Sequence, residues 1–208
     1  MFEDRENAGL KLCPKLKKFS NKKDCIVVGL TRGGVITAEK VSTFLHLPLK
    51  AIVVKKIGLP QNSELAIGAI ISLKDIYWDL KLIKKFDISE NEKHLLALKK
   101  QQEVRSLENI LRISHKKDIF KDKTVILIDD GVATGATVIV AARYLKKQKP
   151  RTLILTVPVI ASDTVSNIKK YFDKVIYLEK RKDFYAVGQF YLNFEEISDE
   201  KIARILNI

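Results

Sequence analysis

Short aliphatic runs alternate along the chain with segments whose apolar residues recur every three or four positions. CIVVGL (Cys25 to Leu30) predicts a buried strand, and Val35, Ala38, Val41 and Leu45 form a helical stripe between Gly33 and His46. AIVVKKIG (Ala51 to Gly58) predicts a second buried strand. Over LAIGAIISLKDIYWDLKLI the pattern shortens to β-like pieces broken at Lys74 and Asp75, which predicts a hairpin on the sheet edge. SENEKHLLALKKQQEVRSLENILRI predicts a long polar helix, with Ser89 as N-cap and Glu92 completing a capping box. TVILIDD then predicts a strand, Ala136 to Lys147 a helix, and TLILTVPVI (Thr152 to Ile160) a strand. A helix from Ser162 to Tyr171, the strand KVIYLE (Lys174 to Glu179) and a short helix opened by Ser198 complete the series. Buried strands alternating with helices indicate an α/β fold, an open and mainly parallel sheet flanked by helices. No repeat, low-complexity tract or Pro/Gly linker interrupts it, so residues 1–208 read as one domain.

Open sheets of this kind bind ligands at the carboxyl ends of their strands, where strand order reverses. One such end is TVILIDDGVATGAT, Thr124 to Thr137, where an aliphatic run meets two adjacent acids. Neighbouring carboxylates repel, so cations or hydroxyl groups are expected opposite Asp129 and Asp130. The loop that follows, Gly131, Val132, Ala133, Thr134, Gly135, Ala136 and Thr137, joins the strand to a helix. Gly135 and Ala136 allow close approach of the backbone, the helix N-terminus supplies amide donors, and Thr134 and Thr137 add hydroxyls. That set suits a phosphate monoester, and the acids suit a vicinal diol, so the spacing suggests a grip for ribose 5-phosphate. A metal-binding acid pair is the competing reading. The chain has no GxxxxGK followed by Ser or Thr, and CIVVGLTRGG carries none of the acids a response-regulator receiver needs.

Composition narrows the partners. With 208 residues, 46% hydrophobic and 30% charged, the chain is suited to a packed core rather than to disorder. No apolar run approaches the roughly 20 residues of a membrane span, and MFEDRENAGLKLC lacks a secretory pattern. Cys13 and Cys25 form no CxxC motif, so reduced thiols and a cytoplasmic location are expected. The net charge of +13 admits a polyanionic substrate or a nucleic acid. Its charge is mostly Lys spread along the chain, and no nucleic-acid-binding module is recognisable, so nucleic acid is the disfavoured partner.

VILIDDGVATGAT resembles the motif by which type I phosphoribosyltransferases bind 5-phosphoribosyl 1-pyrophosphate (PRPP). DRENAG, VVGLTRGGV, KKIGLPQNSELAIGAI and FYAVGQFY extend the likeness over most of the chain, to a bacterial and archaeal branch of that family. The resemblance implies that Asp129, Asp130 and residues 131–137 hold PRPP, with Arg32, Asp129 and Asp130 as catalytic residues. It implies a pyrophosphate loop in GLTRGG, with Thr31, Arg32, Gly33 and Gly34, and a cis peptide near Thr31 to Gly33. Relatives tend to carry Pro where Thr31 stands. Lys55 and Lys56 should face pyrophosphate, although strand alternation points only one of them there. Ser89 to Lys117 corresponds to a mobile segment that closes over the site, with Arg105 and Arg112 as its basic residues and Ser106 and Leu107 replacing an expected basic pair. A small hood is expected from Met1 to Leu10, the hairpin at Tyr77 and Trp78, and DFYAVGQFY, where Phe184 or Tyr185 would stack on a planar acceptor. Ala133 stands where 6-oxopurine enzymes carry an acid, which argues against that acceptor class and leaves adenine and uracil types open. The implied reaction transfers ribose 5-phosphate from PRPP to a nitrogenous acceptor, with Mg²⁺ carried mainly by PRPP, no protein metal cluster, and a homodimer. The alternative is a PRPP-sensing regulator that binds RNA or DNA.

Overall fold

The computed structural model describes residues 1–113 and 118–208, the side chains of residues 63 and 64 excepted. The first half runs α1 (Arg5–Leu16), β1 (Cys25–Leu30), α2 (Gly33–Leu45), β2 (Leu49–Ile52), β3 (Lys55–Leu59), β4 (Asn62–Ser72) and β5 (Asp75–Trp78). Then follow α3 (Leu80–Lys85), α4 (Glu90–Ile110), β6 (Thr124–Ile128), α5 (Ala136–Lys147), β7 (Thr152–Ala161), α6 (Thr164–Lys169), β8 (Lys174–Arg181) and α7 (Asp199–Leu206).

Five strands form a parallel sheet in the order β2-β1-β6-β7-β8. β1 and β6 are buried at every position because helices cover both faces. Period-two alternation sends Ile26, Val28, Val125 and Leu127 into a core shared with α5 and α6. Val27, Ile126 and Ile128 face the opposite core, against Leu12 and Leu16 of α1 and Val41 and Leu45 of α2. After β1 the chain crosses to β2 on one side, and after β6 it crosses to β7 on the other. The order therefore reverses between β1 and β6, which opens a crevice above their carboxyl ends.

Two expectations need correction. The run from Ala51 to Gly58 is not one strand: β2 ends at Ile52, and β3 pairs antiparallel with β4 in a separate three-stranded sheet, β3-β4-β5. Val53 and Val54 between them are buried, so the aliphatic run continues where the pairing partner changes. The hairpin likewise lies in this second sheet, not on the edge of the parallel one. Ala69 and Ile71 of β4 pack into the α5 core, while Ile67 and Ile70 pack with Val104 and Leu107 of α4.

The first residues, read as irregular hood, instead enter a helix. Asp4 caps α1 by accepting from the Asn7 amide at 2.7 Å, and the helix continues past Pro14. The first residues meet the segment after β8 at the carboxyl end of β7: Phe2 donates to the Phe190 carbonyl and Leu192 to that of Phe2, each at 2.8 Å. Phe2, Phe190 and Tyr191 pack there around Val159. Tyr77 and Trp78 instead border a cavity shared with Asp163, Thr164 and Asn167.

Candidate active site

β6 delivers Asp129 and Asp130 to the crevice, and their surroundings differ. Asp129 accepts the Asp130 amide at 3.0 Å through Oδ1 and the Thr137 hydroxyl at 3.5 Å through Oδ2. Burial and the charge of Asp130 push the Asp129 carboxyl well above the usual carboxylate range. Lys56, the Asp130 amide and Thr137 pull the other way without cancelling that shift. Asp130 is bound by Arg5, whose Nε donates to Oδ2 at 2.8 Å. The Arg5 guanidinium also donates from Nη1 to the Glu195 carbonyl at 3.0 Å and lies 3.7 Å from the centre of the Phe194 ring. Tyr191, from the tail, donates its hydroxyl to the Asp130 carbonyl.

The loop after the acids is pinned to β7. Val132 donates to the Val159 carbonyl at 3.0 Å and accepts from Ala161 at 2.9 Å, and Thr164 donates its hydroxyl to the Ala133 carbonyl. Gly135 adopts φ 83°, a left-handed turn that opens α5 without a side-chain cap of its own. The Ala136 amide reaches the Thr134 hydroxyl only at 3.5 Å. The amides of this helix start are therefore available to an anion, with Thr134 and Thr137 beside them.

The loop after β1 closes the other side. Its Thr31–Arg32 peptide is cis, within the stretch the family likeness indicated. A Cβ on Gly33 would lie 1.9 Å from Asp130 Oδ2, and one on Gly34 would lie 2.6 Å from the Ile128 carbonyl oxygen. Backbone alone fits there, so the two loops are in direct contact. Arg32 binds Asp199 at the start of α7, Nε to Oδ1 at 2.6 Å. Of the two lysines, Lys56 acts electrostatically on Asp129, whereas Lys55 turns to Glu103 of α4 at 3.9 Å.

Other sequence candidates lie elsewhere. Arg105 is exposed on α4, and Arg112 borders an apolar cavity of about 250 Å³ with Leu49, Leu111, Phe120 and Tyr144 beside β2. Neither is brought to the acid pair. Residues 114–117 of the expected mobile segment lie outside the described residues. Phe184 tilts against Phe190 with ring centres 4.7 Å apart, and Tyr185 is 88% exposed. No cluster of three or more metal-ligating side chains occurs among the described residues. Arg5, Tyr191 and Asp199 were not singled out from the sequence, although DRENAG and FYAVGQFY contain the first two. Their spacing carries no sign of the contacts they make, since 125 residues separate Arg5 from Asp130.

Comparison with known proteins agrees with this geometry. The sequence profile of the phosphoribosyl transferase domain matches residues 11–195. Two Mycobacterium tuberculosis sequences, each provisionally named a phosphoribosyl transferase, are 32% identical over 213 residues. The match takes in 100% of this chain and 46% of theirs, so the chain spans about half the length of those relatives. A crystal structure of a Thermus thermophilus protein is 32% identical with a TM-score of 0.76, covering 99% of this chain and 97% of that one. A hypothetical protein from Neisseria gonorrhoeae with bound ppGpp shares the fold alone, at 12% identity and a TM-score of 0.54, covering 100% and 97%. With the profile running through both loops of the crevice, the chain belongs to the phosphoribosyl transferase domain family.

Proposed function

We propose that the protein is a PRPP-dependent phosphoribosyltransferase that passes ribose 5-phosphate to a nitrogenous acceptor other than a 6-oxopurine and releases pyrophosphate. The observation that carries this reading is the contact of the two crevice loops, with Gly33 against the Asp130 carboxylate. Asp129 and Asp130 take the ribose hydroxyls, and the amides and hydroxyls of residues 134–137 take the 5-phosphate. That placement sets the anomeric carbon toward the Thr31 to Gly34 loop. There backbone amides, Lys56 and Arg32 meet the diphosphate, with Arg32 exchanging Asp199 for the substrate.

The acceptor nitrogen attacks the anomeric carbon as its bond to the pyrophosphate oxygen breaks through an oxocarbenium-like state. The protein contributes charge placement and orientation. Mg²⁺ arriving with the substrate would supply positive charge against the departing diphosphate. Asp129 and Asp130 would be the nearest candidate carboxylates, but Thr137 and Arg5 already engage them, so substrate oxygens and water would supply most of the ion's ligands. Ala133 turns its carbonyl to Thr164 and offers only a methyl group, so it moves no proton of the base. Adenine- and uracil-type acceptors are compatible with it.

Incubation with PRPP, Mg²⁺ and a panel of nitrogenous bases, read by pyrophosphate release, tests the proposal. Base-dependent release is expected; release without base counts as hydrolysis. PRPP binding without turnover on any base, together with salt-sensitive binding of RNA or DNA, would replace the enzyme by a PRPP-sensing regulator.

A further inference from the structure

Asp130 is gripped twice by residues that the reaction just described leaves unused. We infer that Arg5 is a positioning residue of the ribose site: it fixes the Asp130 carboxylate so that its remaining acceptor positions face the sugar diol. The inference rests on the proposed function and adds a part to it. Arg5 and Asp130 are only 12% and 13% exposed, so their 2.8 Å contact is not a mobile surface pair. The guanidinium is itself immobilised by the Glu195 carbonyl and the Phe194 ring. Its backbone carbonyl accepts the Thr37 hydroxyl of α2 at 3.4 Å. The segment before it is tied to the tail through Phe2 and Glu3, whose carbonyl accepts from Asn193 at 2.8 Å.

A carboxylate offers about four acceptor positions, and Arg5 takes one. The contact sits where a side chain at position 33 would meet Asp130 Oδ2 at 1.9 Å and Arg5 Nε at 2.9 Å, so only glycine there leaves space for the Arg5–Asp130 pair. The Tyr191 hydroxyl on the Asp130 carbonyl holds the main chain of the same residue. Side chain and backbone are thus both set from outside β6, and the positive charge offsets the repulsion of placing a second carboxyl beside Asp129. A brace that only stitched α1 to the tail would not need to end on this carboxylate.

Calorimetry on wild type, Arg5→Leu, Arg5→Lys, Asp130→Asn and the Arg5→Leu/Asp130→Asn double variant, with thermal melts of each, separates the two roles. Arg5→Leu is expected to weaken binding of Mg-PRPP and of ribose 5-phosphate by about 10- to 100-fold, with pyrophosphate alone unaffected. Arg5→Lys should recover part of the loss, and the double variant should bind no more weakly than Asp130→Asn. A folded Arg5→Leu protein with wild-type affinity, or losses that add in the double variant, would overturn the inference and leave the proposed function standing. If Arg5→Leu does not fold, the cycle is run with Arg5→Lys and read in the same way. Wild-type protein that binds no PRPP overturns the proposed function and this inference with it.

Discussion

Asp129 and Asp130 follow the end of β6 with adjacent carboxyls, and an arginine side chain, that of Arg5, binds Asp130. Asp129 relies on Thr137, a backbone amide and the more distant Lys56, and its carboxyl titrates above the usual range because it is desolvated next to a second acid. A raised folded value means that the native state holds this proton more tightly than the unfolded chain does. The associated stability is fully present below the ordinary carboxylate value and is lost as pH rises through the folded value. Asp129→Asn removes that loss, because an amide can still accept from the Asp130 amide and donate to Thr137. At neutral pH the variant is expected to melt higher than wild type while binding PRPP more weakly, and the gain should vanish in acid melts. The acid pair was legible in the sequence because repulsion makes it unexpected after VILI. Arg5 was not, because nothing local to DRENAG marks a partner 125 residues away.

Among the elements, α4 was read most completely. Ser89 accepts from the Glu92 amide, Glu92 accepts from that of Ser89, and the buried Ala97, Gln101, Val104 and Leu107 follow helical spacing. Ala97, Val104 and Leu107 tie the helix to β3 and β4 over its middle turns. Ser89→Ala should therefore cost about 1 kcal/mol, a drop of roughly 2–4 °C in Tm, with PRPP affinity unchanged by calorimetry. A change in affinity at equal stability would instead favour closure of this segment over the site. β2 and β3 were read least well. Local pattern records burial, and burial continues through Val53 and Val54, whereas the division between sheets depends on which strand offers hydrogen bonds.

Across the whole molecule, the net charge is +13 and the proposed ligand is a polyanion. Stopped-flow association of PRPP should slow by about tenfold or more as ionic strength rises from about 0.01 to about 1 M, where the screening length falls from about 30 to about 3 Å. An association rate indifferent to salt would mean that the lysines merely solvate the surface. No helix among the described residues is long and apolar enough to cross a membrane. The linear chain by itself determined the alternating α/β plan, the acid pair, the Thr-Gly loop and the glycine turn after β1, because each depends on neighbours a few residues apart. Tertiary structure alone decided that Lys55 meets Glu103, that Arg32 meets Asp199, and that Arg5 and Tyr191 converge on Asp130. Those contacts join residues brought together only when the sheets are covered and the first residues pair with the segment after β8, and side-chain periodicity carries no record of such long-range pairings.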